Sequence, residues 1–402
     1  MRIGVVGSGT GGATAALFLA RAGHEVEILE RVPDPRPVGA GILLQPLGQR
    51  ILGQLGLDGP LTSRSSPIRR IEGLTSGGRT VLRFGYADAG VESFGLGVNR
   101  GELFGLLWDA LTAAGVPVRT GIEIVRASPG DDGWRLGAAD GTSVGPFDLV
   151  VVADGARSSV RRSLGIATKD VRYPYGALWA VVPDPDGLAG DVLYQRYRDT
   201  RITLGVLPTG VGQASIFWSM RSRDIDSAVA ADPGPIVERM LQLAGPAEPL
   251  VERVRASGLL GATYRDVVVP HPIVIAGRTG LALVGDAAHA MSPQLGMGAS
   301  LALADAWSLA TAVAEHSELG PALARYAADR RANVRWYTWL SRFMTPVFQS
   351  DLVPVGWARD LAFGPAARVP WVRRQFANIL LGEQTSPLTR WAPTRRGGPL
   401  AG

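Results

Sequence analysis

Ile3, Val5 and Val6 open the chain as a short continuous apolar run, the pattern of a strand buried on both faces. Gly7, Gly9, Gly11 and Gly12 interrupt it, and the helix-forming run Ala13 to Ala20 follows, so strand, glycine turn and helix are predicted in succession. A second strand is expected over Glu25 to Leu29, ending at Glu30. Residues 68 to 98 alternate in short pieces, a strand-rich reading, and a helix opens at Asn99 to Glu102, runs through Ala114 and stops at Gly115. Strands at Val118 to Val125 and Trp134 to Ala138 flank a Pro-Gly-Asp-Asp-Gly turn and read as a β-meander. Two more buried strands, Leu149 to Ala153 and Leu281 to Val284, end in Asp154-Gly155 and Gly285-Asp286. The first of these turns leads into a polar helix start with Ser158 and Arg161. The second is followed by Gly296, Gly298 and Ala299 ahead of a long helix.

From Val171 to His271 the pattern becomes alternating strands separated by Gly, Pro and Asp turns, with a helix over Pro233 to Leu243. A twisted antiparallel sheet with one buried face fits this stretch. Alternation sends Ile216, Trp218 and Met220 to one face and Phe217 and Ser219 to the other, so only one set can line a pocket. The Trp218 face is the one expected to do so, with Trp179 and Tyr194 as further apolar walls and Arg196 and Gln195 as its polar groups. Beyond Pro321 the chain reads as helical, Arg330, Arg331 and Arg335 being interleaved with Trp336, Tyr337, Trp339 and Phe343. Such a Trp/Arg-rich end suits a helical cover on the nucleotide domain or a homodimer contact better than a membrane surface, and the tail from Gln384 reads as mobile.

Composition narrows the function classes. A net charge of +5 on 402 residues is small, Lys169 is the only lysine, and no basic run is suited to tracking phosphates, so nucleic acid is not an expected partner. The absence of cysteine excludes disulfides, thiolate metal sites and a cysteine nucleophile. The four scattered histidines, His24, His271, His289 and His316, give no metal-ligand spacing. No signal peptide and no 18-residue uncharged apolar run are seen, which makes the cytoplasm the expected compartment.

The glycine turn carries the first chemistry. In the GxGxxG reading Gly7 permits the tight turn, Gly9 lets the backbone approach a pyrophosphate and Gly12 lets helix pack on strand, with the phosphate on the helix N-terminus. Glu30, 18 residues after Gly12, can accept hydrogen bonds from both hydroxyls of an adenosine ribose. Asp286, at a strand end before a second glycine-opened helix, stands where a second ligand contact would be needed.

Taken together, GSGTGG with Glu30-Arg31, the central ADGARSSVR and the late GDAAHAMSPQLGMGASLALADA resemble, in order and spacing, the single-component flavin monooxygenases related to para-hydroxybenzoate hydroxylase. With GAGILLQP and VNRGELFGLL the resemblance covers nearly the whole chain. It implies an α/β fold: a doubly wound Rossmann-type FAD-binding domain over 1–72, 94–170 and 272–340, an inserted antiparallel β-sheet substrate domain over 73–93 and 171–271, and C-terminal helices with a mobile tail over 341–402. It also implies that Gly7 to Gly12, including Ser8, Thr10 and Gly11, hold the FAD pyrophosphate and Glu30 the adenosine ribose, with Arg31, Gly41 and Val125 among the cofactor-binding positions. Arg100 adds a stabilising contact, Gly285-Asp286 serve the ribityl side and pyrophosphate, Pro293 lies beside the ring, and Gly296, Met297, Gly298 and Ala299 bring backbone to the flavin pyrimidine edge. Asp154-Gly155 is linked to both FAD and the nicotinamide cofactor, and the residues do not choose between NADH and NADPH. Where the family usually reads Gly-Gln-Gly-x-Asn, this chain has Gly296-Met297-Gly298-Ala299-Ser300, which shortens any contact made by an Asn side chain.

The implied activity is hydroxylation of an electron-rich, bulky or polycyclic aromatic with NAD(P)H and O2 through a flavin C4a-hydroperoxide, so no catalytic triad or nucleophile is expected, and the residues do not identify a catalytic base. Epoxidation or Baeyer–Villiger oxidation of a lipophilic secondary metabolite is the alternative. A halogenase is disfavoured because no WxWxIP stretch occurs, and a nicotinamide-only dehydrogenase because of Asp286 and the late glycine helix; a non-enzymatic FAD-fold carrier is the remaining rival.

Overall fold

The computed structural model describes residues 1–36 and 39–391. Its first sheet has six strands, in the spatial order Ile273–Ala276, Thr279–Leu283, Leu149–Val152, Arg2–Val6, Glu25–Leu29 and Val118–Arg119. All neighbours pair in parallel except the first two, and Ile3 stands between Val26 and Leu149. The near-continuous apolar runs follow from burial on both faces. The helices Thr10–Arg21 and Gly298–Glu315 cover one face, where Ala15, Leu19, Leu303 and Leu309 share a core with Ile3, Val5 and Ile28. The meander 124–147 covers the other, placing Trp134, Leu136 and Phe147 against Val6, Val150 and Leu281. This is the expected α/β, Rossmann-type layering.

The second sheet has seven strands, in the order Leu260–Val268, Lys169–Pro183, Gln213–Arg221, Ile202–Gly210, Val192–Arg198, Arg70–Thr75 and Thr80–Gly85. It is antiparallel except where Val192–Arg198 runs parallel to Arg70–Thr75, a pair drawn from distant parts of the chain. Register puts Leu178, Trp218 and Leu204 side by side. That face is buried under the helical segment 225–256: Trp218, only 2% exposed, shares a core with Val237, Met240 and Val251. Tyr194 and Met220 pack on the same core, and the Arg196 guanidinium bonds Tyr194 Oη and Ser76 O.

The expected pocket face is therefore corrected. Trp218, Met220, Tyr194 and Arg196 all lie on the helix-covered side, and Trp179 alone of the proposed apolar walls lies on the other. The opposite face carries Ser215 and Phe217, and Ser215 Oγ accepts a 2.8 Å hydrogen bond from Gly41 N of the first domain. Alternation separates the two faces but does not say which one a remote helix covers.

The chain ends in the helices Leu319–Phe348, Val353–Ala366 and Pro370–Leu380. They cap the Phe217 side of the second sheet: Phe348 meets Tyr197 at 5.2 Å between ring centroids and Phe376 stacks on Phe84 at 5.2 Å. Residues 384–391, expected to be mobile, are packed instead. Gln384 bridges to Arg390, and Trp391 lies against Trp307 and under the Arg330 guanidinium, 4.3 Å from its ring centroid. Residues 392–402 of the expected mobile tail lie outside the described residues.

Trp218→Ala is expected to leave a cavity beneath the helices and to destabilise the fold by roughly 3–5 kcal/mol, lowering the melting temperature by several degrees while FAD stays bound. An unchanged melting curve would return Trp218 to the list of pocket residues.

Candidate functional site

The glycine turn is fixed by sterics. Gly7 has φ +96°, and a Cβ there would stand 2.7 Å from Ala153 O; a Cβ on Gly12 would stand 2.0 Å from Gly7 O. Gly9 caps the helix with extended backbone and no side-chain cap, and the space around it is open. The first-turn N–H groups have no side-chain cap and face the open space of a recess, which leaves them free to meet the oxygens of a pyrophosphate. Beside it, the buried Glu30 is held in place. Its Oε2 accepts from Ser8 N at 2.8 Å and Ser8 Oγ at 2.7 Å, and its Oε1 from Val32 N at 2.9 Å. Arg31 next to it is exposed, while Val125 is half-buried on the meander strand Ile124–Gly130.

Arg100 starts the helix Arg100–Ala113, which Asn99 caps through Gly101 N at 2.9 Å. Its side chain is exposed and runs past Gly39, where φ is +144° and a Cβ would touch the Arg100 chain at 3.0 Å. Asp154 Oδ2 accepts from Ser159 N at 2.9 Å, so the carboxylate steadies the helix Ser159–Leu164 alongside the Ser158 cap. Its Oδ1 is buried and without a partner among the described residues, and burial pushes the carboxyl above its ordinary range. Gly155, φ +81°, faces open space.

Asp286 opens the turn of helix that follows Gly285, with its carboxylate exposed at the recess. Desolvation by the surrounding chain raises its carboxyl, and the charges of His289, Arg100 and Arg161 oppose that rise. Gly298 begins the next helix with nothing nearer to its missing Cβ than Asp286 Oδ1 at 3.9 Å, a cradle that backbone alone lines. Ala299 is half-buried and Pro293 exposed in front of it. Met297 is only 1% exposed and packs with Leu301 and Tyr337, so any ligand contact it makes is through backbone. Gly41 approaches the second sheet, where a Cβ would meet Thr209 Cγ2 at 2.2 Å.

Three features escape the sequence. Buried Arg161 donates to Ala156 O and Ala287 O, each at 2.8 Å, and pairs with Asp170 at 2.8 Å, tying the Asp154 turn to the Asp286 turn. Gln45 is fully buried between Tyr86 Oη (2.7 Å) and Leu295 O (3.1 Å), and its N–H bonds Ser300 Oγ at 3.1 Å. The serine in the usual Asn place thus anchors the Gly41–Leu44 strand end. Finally, Asp305 accepts from Gly285 N (2.8 Å) and Arg330 Nε (2.7 Å) and meets His289 Nε2 at 2.6 Å. Only the partners' positions in space reveal that cluster. No group of His, Asp and Glu that could hold a metal occurs among the described residues.

Burial alone would raise the Asp305 carboxyl, but the charges and hydrogen bonds of His289 and Arg330 outweigh it and hold it down at about 2. A folded-state value below the unfolded value of about 3.9 gives stability that is present above pH ~4 and lost as pH falls toward 2. At about 1.4 kcal/mol per unit, some ~2 kcal/mol should disappear over that window, and Asp305→Asn should flatten the drop. Parallel acid-unfolding profiles for the two proteins would refute this.

A family model described as FAD binding domain matches residues 1–338. The aurachin C monooxygenase/isomerase of Stigmatella aurantiaca is 30% identical over 385 residues, which span 90% of this chain and 98% of the relative. The 6-hydroxynicotinate 3-monooxygenase of Bordetella bronchiseptica is 30% identical over 76% of this chain and 80% of its own length, and the 2-heptyl-3-hydroxy-4(1H)-quinolone synthase of Pseudomonas aeruginosa 30% identical over 77% and 80%. Among solved structures, Klebsiella pneumoniae HpxO complexed with FAD and uric acid has the same fold, with a TM-score of 0.80 at 23% identity over 95% of this chain and 97% of that one. The dehydrogenase and carrier readings give way to these findings. With matches spanning nearly its whole length, the chain belongs to the FAD-binding family of flavin monooxygenases related to para-hydroxybenzoate hydroxylase.

Proposed function

We propose that this monooxygenase hydroxylates a neutral, electron-rich, fused-ring aromatic between the Pro293–Ala299 backbone and the Phe217 face of the second sheet. FAD would be reduced there by NADH or NADPH. The observation that carries this reading is the character of that face. Phe217 lies flat across Gly205, where a Cβ would fall 1.9 Å from its ring, and Trp179 packs on it at 4.9 Å. The polar groups beside them are amides and phenols. Tyr197 Oη donates to Gln195 Oε1 at 2.6 Å, which leaves the Gln195 amide N–H pair unbonded among the described residues. Arg196 is on the other face, and Arg221, which shares the face of Phe217, is already paired with Asp351. Three of the relatives are named for a quinolone or aurachin C, while others are named for 6-hydroxynicotinate and urate, so names alone do not choose.

For the cofactor, the reading places the adenosine ribose on Glu30, the pyrophosphate on the Gly7–Gly12 turn with Arg100 beside it, and the ribityl side on Asp286. The flavin edge lies on the Gly298 and Ala299 backbone, and Asp154-Gly155 borders both FAD and the nicotinamide donor. Bound FAD supplies the oxygen-activating chemistry. The chain's tasks are to orient the ring with Gln195, exclude water with the Phe217 and Leu207 side chains, and hold reactants at reacting distance.

Glu30→Ala and Asp286→Ala should each weaken FAD binding by about tenfold or more, the cost of a charge-assisted hydrogen bond of roughly 1.5–3 kcal/mol. Flavin fluorescence on titration reads this directly, and wild-type retention in both variants would remove these carboxylates from the cofactor site.

NAD(P)H oxidation, product and released peroxide should be compared for a fused-ring phenol and a small phenolic acid. The fused ring is expected to couple better, and Phe217→Ala to raise its uncoupled peroxide severalfold, whereas Trp218→Ala changes stability instead. Better coupling by the small acid would overturn the substrate reading.

A further inference from the structure

We propose that the C-terminal helices dock this enzyme onto an anionic phospholipid surface. Trp339, Phe343, Trp357, Leu361 and Trp371 are each more than half exposed, although the helices that carry them already have a buried side. On the long helix the inward face is Tyr337, Leu340, Met344 and Phe348, so the outward rings add nothing to the core. They are nevertheless ordered against one another: Trp336 stacks on Trp339 at 5.4 Å and Trp339 on Phe343 at 5.7 Å. A stacked ladder of this size, left facing water, marks an interaction surface.

Charge names the occupant. Arg331, Arg335, Trp339 and Phe343 recur every four residues, so the exposed rings continue an exposed pair of guanidiniums along one stripe. Residues 331 to 374 hold seven arginines and two aspartates. Arg342, Arg359 and Arg373 have carboxylate partners, whereas Arg331, Arg335, Arg368 and Arg374 have no ion pair among the described residues. Packed against the same face of a second copy, these guanidiniums would meet no free carboxylate, because Asp351 and Asp360 already pair with Arg221 and Arg359, and their burial would carry a desolvation cost. A bilayer surface meets both requirements, since rings settle at headgroup depth and guanidiniums reach lipid phosphates. No helix among the described residues is long and apolar enough to cross a membrane, which is consistent with attachment to its surface.

The FAD-loaded enzyme should be co-sedimented with vesicles of phosphatidylcholine alone and of phosphatidylcholine with phosphatidylglycerol. Binding is expected to the anionic vesicles only, with a blue shift of tryptophan emission, and to weaken at least tenfold between about 0.1 and 0.5 M salt. W339S/F343S and, separately, R331E/R335E should each reduce binding by at least tenfold while leaving flavin absorbance and melting temperature unchanged. Absence of binding to either vesicle, or equal and salt-insensitive binding to both, would overturn the proposal. So would a dimer in equilibrium sedimentation that either double variant dissolves, which would assign the face to a second copy.

Discussion

One buried carboxylate holds the Gly285-Asp286 side of the recess to the C-terminal part of the chain. Asp305 sits in the middle of the helix Gly298–Glu315 with no access to solvent, where an unpaired charge would be untenable. Gly285 N, His289 and Arg330 satisfy it from three directions, and Arg330 passes the connection to Asn333, whose amide donates to Gly382 O and Gln384 O. The consequence reaches the recess because Gly285, φ +58°, is the hinge on which Asp286 is presented. Removing one partner of such a cluster generally costs about 3–5 kcal/mol, since the remaining charge is left buried. The packed segment 384–391 is therefore bound to the same cluster that shapes the cofactor recess.

The second sheet divides its labour by face. Side chains on the Trp218 face build a hydrophobic core with the helices after Ile225, and those on the Phe217 face turn toward the first domain. Two glycines make the second arrangement feasible. Gly205 and Gly73 flank Gln195 across the sheet, and a Cβ on either would collide with the ring of Phe217 or Tyr197. Aromatic side chains can thus lie flat on the sheet and keep the amide of Gln195 between them, a geometry that side chains on both neighbours would block.

The parts of this protein that were legible from sequence are those in which the cause is local. Gly7 and Gly12 are constrained by atoms a few residues away or on the adjacent strand, and a strand-end acid such as Glu30 follows from the length of one βαβ unit. The choice between the faces of Trp218 and Phe217 was not legible, because period-2 alternation is symmetric and the deciding helices lie later in the chain. Asp305 reads as one polar position in an alanine-rich helix until Arg330, 25 residues on, is brought beside it. Arg161 is similar: a helix-start arginine whose role depends on Ala287, 126 residues away. The tail to Trp391 looked polar and Pro-rich, yet one aromatic ring under Arg330 is enough to fix it.

Electrostatics ties the proposed cofactor site to the neutral substrate face. Two carboxyls, Asp154 and Asp286, face the recess, and desolvation by the surrounding chain raises both above the ordinary carboxylate range. An anionic pyrophosphate placed among them would meet repulsion unless positive potential outweighed it. Arg100 and Arg161 oppose the rise at Asp286, and two helix N-termini, at Gly9 and Gly298, present unbonded N–H groups. Positive potential is thus directed to where the phosphates are proposed to lie, whereas Arg196 is turned to the helix-covered face and Arg221, on the Phe217 face, is paired with Asp351. A carboxylate brought to the ring end of the site would lose hydration, and Arg221, the guanidinium on that face, is already engaged by Asp351. On the proposed reading a neutral phenol needs only the single amide donor that Gln195 offers, so the distribution of charge would favour it over a carboxylate before any contact with the ring is made.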